Sequence, residues 1–319
     1  MKTLKIRNNM KNTKLRHFIN LSEIESTDLK QIITNAHILK NDLNSSTNEY
    51  SKLASKKSIA MMFEKPSTRT RVSFEVAINQ LGASSLFLPA GETQLGRGET
   101  VSDTAHVLSR YVNAIIIRSS NHTDLIEFAN NATIPVINGL SDLNHPCQIM
   151  ADIMTFEEKI GSIQGKKIAW CGDGNNVANT WIEASDKFNF ELHLACPDDL
   201  QPSVSITEAA KKKNGKIFLT SIPEKAIENA DCVITDTWAS MGDKNTERKK
   251  QLLQPFQVNN DLMKIASPNA IFMHCLPAHR GEEVTEEVID GQQSVIWDEA
   301  ENRLHVQKAI IAWCMGMKV

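Results

Sequence analysis

His145–Gly161 reads HPCQIMADIMTFEEKIG, and the reading of this stretch decides the architecture. Pro146 suits the first turn of a helix, where a missing N–H leaves nothing unsatisfied. Ile149, Ile153, Phe156 and Ile160 recur at three- and four-residue spacing, and Gly161 supplies a stop. The pattern predicts one long helix over 146–160. Upstream of it lie short apolar runs at Ser58–Phe63, Ser85–Leu88, Ala114–Ile117 and Ile134–Ile137. Downstream lie Lys167–Cys171, Glu191–Ala195, Cys232–Thr235, Ala270–His274 and Ser294–Trp297. Each run is rich in Ile, Val or Ala and mostly lacks polar alternation, which is how strands buried on both faces read. Helical patterns separate the runs: Phe74, Ala77, Ile78 and Leu81 before Gly82, and Val306, Ala309, Ile310 and Trp313 near the C-terminus. Alternation of this kind predicts parallel sheets. The expected fold is therefore α/β, with two domains, each a mostly parallel sheet flanked by helices, joined near His145–Ala151 with a site in the cleft between them.

The chain has 319 residues, which suits two domains, and a net charge of −3, which gives no overall attraction to nucleic acid or to a membrane surface. No apolar run is long enough to span a bilayer. The six cysteines show neither CxxC pairs nor zinc-ligand spacing. Their usage fits a reducing compartment, so a cytoplasmic location is expected. The stretch before Glu23 has no acidic residue and reads as a frayed basic leader rather than a transit peptide, with Met10 as an alternative start.

Polar clusters gather at the carboxyl ends of the expected strands, the edge at which open parallel sheets bind ligands. Ser67, Thr68, Arg69 and Thr70 follow the first strand. They could cap a helix, but a cap needs one hydroxyl, and hydroxyls beside a guanidinium at a helix start suit an anion. Arg118 ends another strand. His145 and Gln148 follow the fourth, and alone they read as a cap and as uninformative. Arg303, inside a helix, would ordinarily be a salt-bridge partner. GDGNN (172–176) resembles a truncated dinucleotide turn, but Val177 stands where the third glycine belongs, which argues against a dehydrogenase. Cys275 follows His274, but adjacent strand residues face opposite ways, so no thiol nucleophile is expected.

Together FEKPSTRTR, QLGRGE with DTA, HPCQ, GDGNN, DTWASMG, HCLPAHRGEEVT and EAENRLHVQKA resemble the ornithine branch of the aspartate/ornithine carbamoyltransferase family, from about Arg16 onward. The resemblance implies a carbamoyl phosphate-binding domain over 1–147, an ornithine-binding domain over 148–298, and a helix over 299–319 that returns to the first. It implies carbamoyl phosphate contacts at Ser67, Thr68, Arg69, Thr70, Gln94, Arg118, His145, Gln148, Cys275, Leu276 and Arg303. The ornithine side would be Asn176, Asp236, Ser240 and Met241, with Arg118, His145, Asp236 and Cys275 closest to the chemistry. The product would be L-citrulline, as in arginine biosynthesis, with no metal or cofactor because the donor is already activated. A homotrimer or a multiple of trimers is implied, with Gln94 offered to a neighbouring subunit's site. The lysine-rich segment Asp243–Gln254 and the leader depart from the family pattern. Aspartate, putrescine and N-acylornithine enzymes are rivals within the class, and a non-catalytic anion-binding subunit is a rival outside it.

Overall fold

The computed structural model describes residues 15–43, 45, 48–93, 98–239 and 246–319. In the first half these are α1 (Ser26–Leu43), β1 (Ser58–Phe63), α2 (Thr68–Gln80), β2 (Ser84–Pro89), α3 (Val101–Leu108), β3 (Ala114–Arg118), α4 (His122–Asn131), β4 (Val136–Leu140) and α5 (Pro146–Lys159). The second half has β5 (Lys167–Cys171), α6 (Asn176–Phe188), β6 (Glu191–Ala195), α7 (Val204–Lys212), β7 (Lys216–Thr220), α8 (Pro223–Ile227) and β8 (Cys232–Thr235). It continues with α9 (Thr246–Leu253), α10 (Asn260–Ile265), β9 (Ile271–His274), α11 (Glu286–Ile289) and α12 (Ile296–Cys314).

The strands form two wholly parallel sheets, of order β2-β1-β3-β4 and β7-β6-β5-β8-β9. In each, the chain winds outward one way and then returns to wind the other way. The reversals open crevices at the carboxyl ends of β1 and β3 and of β5 and β8, the places where such sheets accept ligands. One continuous apolar core joins the inner faces of both sheets through α1, α2, α5, α6 and α12. Two further clusters cover the outer faces. Helix α5 is buried on every side from Pro146 to Phe156, so the stripe read from the sequence marks a central helix. Helix α12 packs on α1, α2 and α5.

Two strand expectations need correction, and one strand was not expected at all. Ser294–Trp297 is not a strand: Ser294 makes one isolated bridge to Phe272, and α12 begins at Ile296. β7 escaped notice because it is an edge strand in which Ile217 alone is buried, leaving Phe218 and Leu219 exposed. The fourth strand also lies later than expected, beginning at Val136 after Pro135, which has no N–H to give a ladder.

Candidate active site

A cavity of about 700 Å³ lies between the two sheets, lined by α2, α12, the ends of β3 and β4 and the segment after β1 on one side, and by α6 and the segments after β5, β8 and β9 on the other. Ser67, Thr68, Arg69, Thr70, Arg118, His145, Asn176, Asp236, Cys275, Leu276 and Arg303 all line it. Gln148 does not: it is fully buried one turn along α5 from His145, the N-cap residue that does line the cavity. Gln94, Ser240 and Met241 lie outside the described residues.

The first wall is built around Thr70. Its Oγ1 accepts from Arg118 Nη1 at 3.2 Å and from Arg303 Nη2 at 2.7 Å, although Arg303 is 233 residues away in sequence. Arg118 Nη1 also reaches Ser67 Oγ at 3.1 Å. Ser67 occupies the N-cap of α2 yet makes no side-chain cap bond, so capping does not account for its hydroxyl. The first N–H groups of α2 therefore face a cationic corner, an arrangement suited to an anion. Glu64 holds this corner in register, accepting from Ser119 Oγ at 2.7 Å and from Ser120 N at 2.6 Å and so tying the ends of β1 and β3 together. Arg71 is turned away, over the Phe87 ring.

Burial lowers Arg118 to about 10, with the Arg303 and Arg69 cations adding to the shift. Burial, then the same Arg303 and Arg118, holds His145 well below the ordinary histidine range, so its ring is neutral near pH 7. The backbone N–H of His145 donates to Thr180 Oγ1 at 2.7 Å, while its buried Nδ1 has no hydrogen-bond partner among the described residues. The Nε atoms of Arg118 and Arg303 are in the same condition. Polar atoms of this kind are costly unless something pairs with them.

The second wall centres on Asp236. Its Oδ2 accepts from Asn175 Nδ2 at 2.7 Å, and its Oδ1 accepts from Thr237 N at 2.8 Å and from Cys275 Sγ at 3.1 Å. Burial first, then the Asp236 charge, pushes the Cys275 thiol well above its usual range, so it is a donor and not a thiolate. His274 is engaged elsewhere: its Nδ1 accepts from Leu276 N at 2.9 Å and its Nε2 faces Glu283 Oε1 at 3.2 Å. Asp236, His274 and Cys275 lie close enough together to ligate a cation, but the geometry spends these atoms on one another, on Glu283 and on Leu276. Leu276 carries φ 57, an uncommon value for a branched residue.

The GDGNN turn differs from a dinucleotide cradle in two respects. A Cβ on Gly174 would stand 2.2 Å from Pro202 N, so this glycine admits a crossing chain. Asn175 Oδ1 caps α6 by accepting from Val177 N and Ala178 N, which occupies the N–H groups a pyrophosphate would use. Asn176 Nδ2 donates to Ser141 O at 2.8 Å, pinning the two halves together.

Sequence reasoning named the GDGNN turn and the lysine-rich Asp243–Gln254 segment but gave Asp173, Asn175 and Lys249 no role at the cavity. Lys249 Nζ pairs with Asp173 Oδ2 at 2.8 Å on the cavity rim. It also passed over Asp152 and Glu299, which hold Gln148. The Asp152 and Gln148 i,i+4 spacing was the available signal.

Two family profiles cover nearly the whole chain. One, described as the carbamoyl-P binding domain of aspartate/ornithine carbamoyltransferase, matches residues 16–158, and the Asp/Orn binding domain matches residues 164–314. The chain is 55% identical to an ornithine carbamoyltransferase of Rhodopseudomonas palustris strain BisA53, over 94% of this chain and 97% of that one. It is also 55% identical to that of Rhizobium meliloti, over 94% and 99%. Among solved structures, the ornithine carbamoyltransferase from Pyrococcus furiosus superposes with a TM-score of 0.90 at 47% identity, covering 94% of this chain and 97% of that chain.

Proposed function

Because the chain belongs to the aspartate/ornithine carbamoyltransferase family, we propose that its cleft transfers the carbamoyl group of carbamoyl phosphate to the δ-amine of L-ornithine, giving L-citrulline and phosphate. The observation that carries this reading is the convergence of Arg118 and Arg303 on Thr70 Oγ1 at the uncapped start of α2. Both guanidinium groups donate there to hydroxyls, leaving their charge for a dianion.

In this reading Ser67, Thr68, Arg69 and Thr70 hold the phosphate, with Arg118 and Arg303. Neutral His145 donates to the carbamoyl oxygen, and Gln148 meets the carbamoyl nitrogen. Asp236 pairs with the α-ammonium of ornithine, and Asn176, Ser240 and Met241 complete the amino-acid side. Cys275 and Leu276 stand where the substrates meet. The neutral δ-amine attacks the carbamoyl carbon and a C–N bond forms. The C–O bond to phosphate then breaks, and the surplus amine proton leaves with the phosphate. Charge moves toward the leaving group, so the arginine corner binds the transition state more tightly than the ground state. A protonated Cys275 fits direct transfer without a carbamoyl-enzyme.

We divide the chain at 147/148 and assign 299–319 to the first unit, which α12 packs against. A homotrimer completes the reading, with Gln94 reaching a neighbour. Exposed Val72, Val76, Leu86 and Val107 on α2, β2 and α3 support a subunit contact there. The free state of all six cysteines supports a reducing, cytoplasmic compartment. A monomer by light scattering would remove the trimer. The deciding assay is citrulline formation from carbamoyl phosphate with ornithine, putrescine, aspartate and N-acetylornithine offered separately. A preference for any amine but ornithine defeats the substrate assignment.

A further inference from the structure

Gln148 spends both N–H groups of its amide on carboxyl oxygens: Nε2 donates to Asp152 Oδ1 at 2.8 Å and to Glu299 Oε1 at 3.0 Å. Its Oε1 is buried and has no hydrogen-bond partner among the described residues. Glu299 is itself fixed, since its Oε2 accepts the backbone N–H of His274 at 2.9 Å, at the end of β9 just before Cys275. Helices α5 and α12 thus meet on one amide, and Glu299 ties that meeting point to β9. Gln148 stands three residues after His145, on the same face of α5.

We propose that Asp152 and Glu299 are positioning residues that set the amide of Gln148, so that the site offers its carbonyl oxygen and thereby selects a donor with an N–H group over one with a methyl group. This deepens the carbamoyl transfer reading and rests on it. An amide can turn end for end at little cost unless its neighbours discriminate between oxygen and nitrogen. Here the reversed orientation would set Oε1 against two carboxyl oxygens and leave both N–H groups unpaired. Burial raises both carboxyls, Asp152 to about 7 and Glu299 further under the neighbouring Asp152 charge, and the two hydrogen-bond to each other, so a proton held there lies between them and the oxygens facing Gln148 Nε2 stay acceptors. A carbonyl held this way pairs with the –NH2 of a carbamoyl group and finds nothing on an acetyl group. Sites built to hydrogen-bond a substrate group reject analogues that lack it.

The test is equilibrium binding of carbamoyl phosphate, acetyl phosphate and inorganic phosphate to the wild type, Asp152→Asn, Glu299→Gln and Gln148→Met. Wild type should prefer carbamoyl to acetyl phosphate. Each variant should lose that preference by roughly 3- to 10-fold, the worth of one hydrogen bond, with inorganic phosphate binding unchanged. A merely structural role would weaken all three ligands together. Asp152→Asn placed in the Gln148→Met background should cost no further preference, because its effect passes through the amide. Folded carboxyl variants that keep the wild-type preference overturn the proposal. If neither carboxyl variant folds, Gln148→Met decides alone, and an undiminished preference there overturns it. Absence of citrulline formation by the wild type defeats the broader reading instead, whatever the variants bind.

Discussion

Cys275 donates its thiol hydrogen to Asp236, Sγ to Oδ1 at 3.1 Å, so the residue assigned to the junction of the two substrates is restrained by the residue assigned to the ornithine ammonium. Asp236→Asn keeps the shape and removes the charge. Breaking a desolvated charge pair costs on the order of 3–5 kcal/mol. kcat/KM for ornithine should therefore fall by roughly two to three orders of magnitude, with the dissociation constant of carbamoyl phosphate little changed. Cys275→Ser should be milder, because a hydroxyl still donates to Asp236. Steady-state kinetics on both variants check the order, and a more damaging serine substitution would contradict it.

The arginine corner makes a separate claim. Arg118→Ala removes a charge-assisted contact worth about 1.5–3 kcal/mol. Inhibition by inorganic phosphate should weaken by roughly one to two orders of magnitude, and kcat should fall with it. Arg71→Ala is the control, since that guanidinium lies over Phe87 and pairs with Glu75. Equal losses in the two variants would contradict the assignment of the anion to the Arg118 corner.

Every cysteine in the chain is free, and burial raises the thiols of Cys147 (to about 12), Cys196, Cys232, Cys275 and Cys314. Thiolate is the reactive form. The native protein should show no rapidly alkylated cysteine with iodoacetamide at pH 8, although Cys275 opens onto the cavity. Mass spectrometry after a short exposure reads this directly. Fast labelling of Cys275 would mean that it ionises, and would reopen covalent catalysis.

Glu183 makes stability depend on pH. It is buried, accepting from Leu21 N at 3.2 Å and Ser22 Oγ at 3.1 Å, and burial raises it from 4.5 to about 7. Between those values the folded state binds more protons than the unfolded state, so unfolding free energy falls as pH rises. The loss is complete above pH 7 and amounts to about 3 kcal/mol at most. Glu183→Gln should be relatively more stable at pH 8 than at pH 4.5 when each is compared with wild type. Urea melts at both pH values measure it, and a difference that does not change with pH would exclude this role.

The parts of the fold that were legible in the sequence were those buried on both sides. β1, β5 and β8 appear with the expected bounds because a continuous apolar run has few other uses, and β6 appears with them although Glu191 and His193 leave it half-buried on one face. β7 was hidden because an edge strand keeps exposed residues, and Ser294–Trp297 misled because a single bridge leads directly into a helix. In the site, Ser67, Arg118 and Asp236 could be found from their places at strand ends. Arg303 could not be found by that route: a lone arginine in a helix is ordinarily a surface cation, and its partner Thr70 is set by tertiary packing alone. Asp152 and Glu299 were obscured for the same reason, since their meeting at Gln148 depends on α5 and α12 packing side by side.

The bond between Arg303 and Thr70 spans 233 residues, and that distance has a consequence during synthesis. Translation proceeds at about 5–20 residues per second. The first sheet and α2 therefore leave the ribosome on the order of ten seconds or more before α12 exists. During that interval the emerging amino-terminal half has Arg69 and Arg118 but lacks the third guanidinium. A chain interrupted before α12 would also leave the inner faces of α1, α2 and α5 uncovered, presenting a broad apolar surface to chaperones and proteases. Completion of the arginine cluster and concealment of that surface are thus a single late event, and a nascent chain cannot acquire the full cationic corner before it has become a protected one.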